Sequence, residues 1–103
     1  MKRTHFLVEL TDGDEIDVWF DVHARRVVAF SVNDRAMVEG KWREVIRFDT
    51  AHGRPHVHRF WEAQQGRRRR LLRGPDLGEL LSRCIADVRS HWSTYRAMLE
   101  AVR

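Results

Sequence analysis

The sequence predicts an α+β domain: a meander of about six antiparallel β-strands, with one long C-terminal helix packed on one face of the sheet. Between residues 4 and 72, apolar and polar residues alternate in short runs separated by turn residues, which is typical of half-buried strands. Residues 76–102 instead carry apolar side chains at intervals of three and four, the spacing of an amphipathic helix. A chain of 103 residues is the usual size of one core. We therefore predict a single domain over residues 1–103.

Short turns divide the alternating region into strands. Asp12-Gly13 predicts a tight hairpin turn, because this pair supplies the positive φ such a turn needs. In the third strand the alternation predicts that Val28, Phe30 and Val32 point inward. Strands are predicted at Thr4–Leu10, Glu15–Val22, Arg26–Val32, Arg35–Val38, Trp42–Asp49 and Pro55–Trp61, with a short edge strand at Arg67–Leu72.

The C-terminal helix has a predicted start and a predicted weak point. Asp76 and Glu79 have the spacing of a capping box at the helix N-terminus. A helix of about 26 residues spans about 39 Å, whereas a strand of about seven residues spans about 23 Å. The helix is therefore expected either to overhang the sheet or to break near Ser90-His91. An apolar overhang favours a homodimer, formed through Trp92, Tyr95 and Leu99.

Composition narrows the class of protein. There is no apolar run of about 18 residues, so no membrane span is predicted, and the basic N-terminus leads into a strand pattern without the apolar core of a secretion signal. We predict a cytoplasmic protein. Cys84 is the only cysteine and is expected to be a buried packing residue. The formal charge of +4 comes from the second half of the chain, which favours an anionic partner such as nucleic acid.

The stretch 47–58 is the candidate functional site, because it holds three of the six histidines around a Gly/Pro turn. If the flanking strands pair with Asp49 opposite His56, then Arg47 lies opposite His58, and cross-strand neighbours have Cβ atoms about 5 Å apart. An acid, a guanidinium and two imidazoles would then share the face away from the helix. The face under the helix would carry Trp42, Ile46, Phe48, Val57 and Trp61.

Two kinds of chemistry fit this cluster. As an acid/base pair, His56 and His58 would cleave RNA without a metal, with Asp49 orienting one ring and with Arg47 and Arg54 holding phosphate. No cofactor is required for this reaction. The alternative is a divalent metal such as zinc or nickel, with the ligands His52, His56, His58 and Asp49. His52 is also a candidate catalytic residue. The structural alternative is an ordinary set of surface ion pairs.

A second basic feature follows the cluster. Arg67, Arg68, Arg69 and Arg70 form an uninterrupted run that would track a phosphate backbone if it forms an edge strand. The structural alternative is a charged edge that prevents strand-to-strand aggregation.

The residues Arg47-Phe48-Asp49-Thr50-Ala51-His52, followed by Pro55-His56-Val57-His58, resemble the histidine-rich signature of the TumE-like toxins of bacterial toxin–antitoxin systems. The resemblance implies a small cytoplasmic protein that acts on RNA and has a neutralising antitoxin partner. The leading hypothesis is therefore a toxin-like protein acting on RNA through this cluster. The alternative is a non-enzymatic module that binds nucleic acid or protein and dimerises through its helix.

Overall fold

Six antiparallel strands follow one another across a single sheet in chain order, and one helix crosses a face of that sheet. The α+β prediction is therefore confirmed. The structure, a computed structural model, describes residues 1–63, 68–70 and 76–102, with the backbone alone at His52 and at 68–70. The elements are β1 (Lys2–Thr11), β2 (Asp14–His23), β3 (Arg26–Val38), β4 (Lys41–Asp49), β5 (His56–Arg59), β6 (Arg68–Arg70) and α1 (Leu77–Ala101).

The strand β3 joins two predicted strands into one. A break was expected at Asn33-Asp34, between the runs 26–32 and 35–38, and that prediction is wrong. Asn33 pairs with Asp17 of β2 and with Arg47 of β4. Because the strand has a neighbour on both sides at this point, its backbone stays extended across polar residues that would favour a turn in isolation.

Two further predictions are wrong. The β2–β3 register shifts between Asp21 and Val22, so Val27 packs against the core while Val28, expected inward, is 40% exposed. An extra residue reverses the alternation beyond it. Gly13 does not adopt the predicted positive φ. Instead its carbonyl accepts a hydrogen bond from the Met37 backbone N–H at 2.8 Å.

The helix α1 begins as predicted and runs without the expected break. The Asp76 side chain accepts a hydrogen bond from the Glu79 backbone N–H at 2.7 Å, and the helix continues through Ser90-His91 to Ala101. Its buried face packs on β3 and β4. The core consists of Ile16, Val18, Phe30, Val32, Ile46, Phe48, Val57, Leu80, Leu81, Cys84 and Val88.

The C-terminal part of α1 is held on its own sheet, so the predicted apolar overhang is wrong. Arg96 donates to the Gly13 carbonyl at 3.1 Å, to Asp14 Oδ1 at 2.9 Å and to the Met37 carbonyl at 2.7 Å. Leu99 is buried against the end of the sheet. The remaining members of the expected dimer surface pack against the core as well, namely Trp92 and Tyr95.

Cys84 is buried, as predicted. Burial raises the pKa of its thiol to about 12, with a smaller contribution from the Asp87 carboxylate. A thiol with this pKa is protonated at neutral pH and is a poor nucleophile. In the part of the chain that the structure describes, no helix has both the length and the apolar character needed to cross a membrane.

Candidate functional site

The β4–β5 hairpin has the register predicted from the sequence. Asp49 pairs with His56, and Arg47 pairs with His58. The hairpin extends one step further, because the Phe60 backbone N–H donates to the Val45 carbonyl at 3.1 Å. Since directly paired residues point to the same side of a sheet, the four ionisable side chains lie on one face.

The other face of this hairpin is covered by the helix, and four of the five residues predicted for that face lie on it. Ile46, Phe48 and Val57 belong to the core, and Trp61 packs against it. The prediction for Trp42 is wrong, because this side chain is 43% exposed. The β3–β4 register shifts at Val45, and this extra buried residue places Trp42 on the opposite face from the one that alternation predicts.

Asp49 is the centre of the cluster and is only 6% exposed. Its Oδ2 accepts a hydrogen bond from Arg47 Nε at 2.9 Å, and its Oδ1 accepts one from the Ala51 backbone N–H at 3.1 Å. His58 Nε2 lies 3.6 Å from Oδ2. These surrounding groups hold the carboxylate in a fixed position beside the imidazole.

Arg47 is shared between two carboxylates. Besides Asp49, its guanidinium donates to Glu44 Oε1 at 2.6 Å, and the same Glu44 oxygen accepts a hydrogen bond from Asn33 Nδ2 at 3.2 Å. The guanidinium carbon also lies 5.5 Å from the centre of the Phe60 ring. Arg47 is therefore placed to orient Asp49, and two of its nitrogens are occupied.

The two imidazoles differ in their surroundings. The side chain of His58 is 17% exposed, and its ring stacks on Phe60 with centroids 6.2 Å apart. In His56, the Nδ1 atom is buried and has no hydrogen-bond partner among the side chains and backbone that the structure describes. A buried polar atom without a partner costs free energy. The two rings of this pair therefore lie in different surroundings, with a carboxylate beside His58 only.

The turn between the two strands is a short 3-10 segment, Ala51–Gly53. The Thr50 hydroxyl anchors it by accepting a hydrogen bond from the Phe30 backbone N–H at 3.0 Å. Gly53 has a φ of +83°, which is the left-handed region that glycine tolerates best. This segment contains the backbone of His52, and the exposed Arg54 follows it.

The basic run lies beside the hairpin. On the far side of β5, Arg70 pairs with His56 and Arg68 pairs with His58 through the backbone. Of the predicted edge strand 67–72, the part 68–70 is confirmed, and Arg67, Leu71 and Leu72 lie outside the described residues. As for the metal alternative, no three His, Cys, Asp or Glu side chains that the structure describes lie together as a ligand set.

A depression next to the cluster was not found from the sequence. It has a volume of about 450 Å³ and is lined by Arg3, Trp19, Asp21, Ser31, Arg47 and Asp49 among others. The alternation in β2 places Trp19 and Asp21 on the face away from the helix. The small residues of β3 lie between larger side chains of β2 and β4. The sequence of a single strand does not show which residues of other strands lie beside it.

Comparisons with known proteins identify the family and leave its function open. The family model "Domain of unknown function (DUF7718)" matches residues 1–102, so the chain belongs to that family. No curated protein matches the chain significantly. No solved structure matches it either.

Proposed function

We propose that this protein is a toxin-like ribonuclease that cleaves RNA, without a metal, at the β4–β5 hairpin. The observation that carries the proposal is the shared face of Asp49, His56 and His58, on which His58 lies beside a carboxylate and His56 has a buried nitrogen that no described group contacts by a hydrogen bond. Two histidines in different surroundings suit a reaction that needs a base and an acid at once.

In the proposed reaction His58 is the base and His56 is the acid. His58 takes the proton of the ribose 2′-hydroxyl, and the 2′ oxygen attacks the adjacent phosphorus. The bond from phosphorus to the 5′ oxygen breaks, and His56 donates a proton to that leaving oxygen. The products are a 2′,3′-cyclic phosphate and a 5′-hydroxyl. Asp49 orients His58 and stabilises its protonated form by charge.

The arginines have separate roles in this proposal. Arg47 positions Asp49, since its guanidinium already donates to Asp49 and Glu44. Arg54 is exposed at the turn and binds the scissile phosphate, while the run Arg67–Arg70 binds the flanking backbone. A phosphate-binding surface of this kind makes the affinity for RNA fall steeply with salt.

The resemblance to TumE-like toxins adds a cytoplasmic setting and a neutralising antitoxin partner, and both stay predictions. The metal alternative stays a prediction, because the side chain of His52, one of its four expected ligands, lies outside the described residues. A homodimer through the helix is not pursued, because the residues that were expected to form it pack on the sheet of the same chain.

Expression in a bacterial host and an assay on purified RNA test the proposal together. We expect growth arrest and products ending in a cyclic phosphate. His56→Ala and His58→Ala should each lower the cleavage rate by about 10²- to 10⁴-fold. The matched control is His91→Ala, since His91 lies on the exposed face of the helix, and it should cleave at the wild-type rate. A 2′-deoxy residue at the cleaved position should stop the reaction.

A different outcome supports the binding alternative. If RNA stays intact, and if RNA binding survives both histidine substitutions but is lost when Arg67–Arg70 are replaced by serine, the protein is a nucleic-acid-binding module. The proposed ribonuclease activity would then be wrong.

A further inference from the structure

The depression next to the histidine cluster exists because two small side chains lie between larger ones. Ala29 and Ser31 lie two positions apart in β3, so both point to the face away from the helix, and both line the depression. Trp19 of β2 is paired with Ser31 on one side, and Asp49 of β4 is paired with it on the other. The small residues therefore form a floor between an aromatic wall and the carboxylate of the candidate site.

The same cross-strand row continues into the proposed catalytic group. Trp19 pairs with Ser31, Ser31 with Asp49, and Asp49 with His56. Neighbouring strands lie about 4.8 Å apart, so Ser31 and His56 are separated by about 10 Å. A ligand in the depression would therefore extend across Asp49 to the histidines.

Nearly buried polar groups line the floor and sides. Asp21, Ser31 and Asp49 are 7%, 6% and 6% exposed. The Ser31 side chain carries a hydroxyl that can both donate and accept a hydrogen bond at the floor of the depression.

One side of the depression is formed by the Arg3 guanidinium and the Trp19 ring. The Arg3 guanidinium lies 4.3 Å from the centre of the Trp19 ring, and it donates to Asp21 Oδ1 at 2.8 Å and to Oδ2 at 3.0 Å. Indole rings and guanidinium planes are the surfaces on which proteins stack unpaired nucleobases. The Arg3 fork occupies both Asp21 oxygens, but the Arg3 side chain is 61% exposed, so a ligand with two parallel donors can take its place on this carboxylate.

We propose that this depression is a base-binding subsite for guanine. The proposal rests on the proposed function, because it takes the ligand to be RNA. Guanine presents two neighbouring donors, N1–H and the 2-amino group, and these match the two oxygens of one carboxylate. Its O6 oxygen lies beside them and matches a guanidinium N–H. Asp21 is the recognising carboxylate, and Arg3, displaced from the two Asp21 oxygens by guanine, is the donor to O6. The ribose and the 3′ phosphate then point along the row to His56 and His58.

The other bases fit this arrangement less well. Uracil has a single ring N–H between two carbonyl oxygens. Adenine and cytosine each place an unprotonated ring nitrogen beside the amino group, and its lone pair would face the carboxylate. One well-placed bidentate contact discriminates by roughly five- to a hundred-fold, so the subsite should favour cleavage after guanosine.

Two measurements test the subsite. The first is equilibrium binding of the four nucleoside 3′-monophosphates, followed by NMR. We expect guanosine 3′-monophosphate to bind roughly tenfold tighter than the other three, with shifts at Trp19 and Ser31. The second is the base preceding each cut in a mixed-sequence RNA, where guanosine should dominate.

Two variants distinguish direct recognition of guanine by Asp21 from an indirect role of Asp21 in holding Arg3. Asp21→Asn keeps the shape but replaces one acceptor oxygen with a donor, and it should abolish the preference for guanine. Arg3→Gln breaks the same ion pair but keeps the Asp21 carboxylate. It should weaken the binding of all four nucleotides and leave guanine ranked first. If both variants lose the preference equally, Asp21 acts only through Arg3 and its proposed role is overturned.

The outcomes distinguish this inference from the proposed function. Selective binding of guanosine 3′-monophosphate by a protein that leaves RNA intact supports the subsite and contradicts the ribonuclease. Cleavage after all four bases alike, with equal nucleotide affinities, supports the ribonuclease and overturns the subsite. His56→Ala should lose cleavage and keep the binding preference, and a loss of that preference would also overturn the subsite.

Discussion

A buried aspartate has different hydrogen-bond partners on the two faces of the sheet. Asp34 faces the helix and is 1% exposed, whereas Asp49 faces away from the helix and is 6% exposed. Asp34 Oδ2 is buried and has no hydrogen-bond partner in the described part of the chain. Asp49 accepts hydrogen bonds from Arg47 and from the Ala51 backbone N–H, with His58 beside it. Two nearly buried aspartates therefore differ in their partners: one is desolvated, and the other is hydrogen-bonded through both oxygens.

The partners of each aspartate affect whether its charged form is stable. The pKa of Asp34 is raised to about 7, mainly by desolvation and also by the nearby Asp14 carboxylate, while Arg96 lowers it. Other carboxylates lie beside guanidinium groups, as in the pairs Arg35–Glu15 and Arg47–Glu44 on the open face and Arg96–Asp14 under the helix. Burial therefore favours the neutral acid at Asp34, where desolvation outweighs the attraction of Arg96.

The largest effect is expected from removing the cation that supports the helix face. Arg96→Ala should lower the free energy of unfolding by about 2–3 kcal/mol, because the buried Asp14 carboxylate and two backbone carbonyls each lose a hydrogen bond from Arg96. Urea denaturation at neutral pH measures this. A loss below about 0.5 kcal/mol would mean that Arg96 does not anchor the helix.

A smaller effect of opposite sign is expected at Asp34. The pKa of Asp34 is raised from 3.8 to about 7 in the folded protein, so the folded state binds the proton more tightly than the unfolded state does. The resulting stability is fully present below about pH 4 and is lost as the pH rises to about 7.

Asp34→Asn removes this titration. We expect the variant to be more stable than the wild type by on the order of 2 kcal/mol at pH 8, with the difference shrinking as the pH falls to 4. Denaturation curves over this range measure it. A stability difference that does not change with pH would contradict the assignment.

On the open face, losing an ion pair should matter less. Arg35→Met breaks the 2.6 Å contact with Glu15 but leaves a carboxylate that water can reach. We expect a loss of about 0.5–1 kcal/mol, reduced further in 1 M salt. A loss as large as that of Arg96→Ala would remove the distinction between the two faces.

The smallest effect is expected on the exposed side of the helix. Arg83 pairs with Glu79 at 2.7 Å, and both side chains are largely exposed. Arg83→Ala should cost about 0.3 kcal/mol, and it serves as the matched arginine control for Arg96→Ala. A cost above about 1 kcal/mol would show that exposed pairs on this helix contribute more than is usual.

The sequence by itself determined the order of the elements, the start of the helix and the register of the β4–β5 hairpin. These depend on local signals: period-two alternation, the Asp76 cap and a short turn between strands of clear polarity. For the same reason the shared face of Asp49, His56 and His58 was predictable, because a hairpin places neighbours in sequence next to each other in space.

Only the tertiary structure decided what depends on a neighbouring strand. The continuous β3, the shifts that expose Val28 and Trp42, and the anchoring of the helix by Arg96 all arise from pairing between distant segments. The depression between Trp19 and Asp49 has the same origin, since four strands contribute to it. A single extra residue in one strand reverses every side chain beyond it, and local alternation carries no signal for where that residue falls.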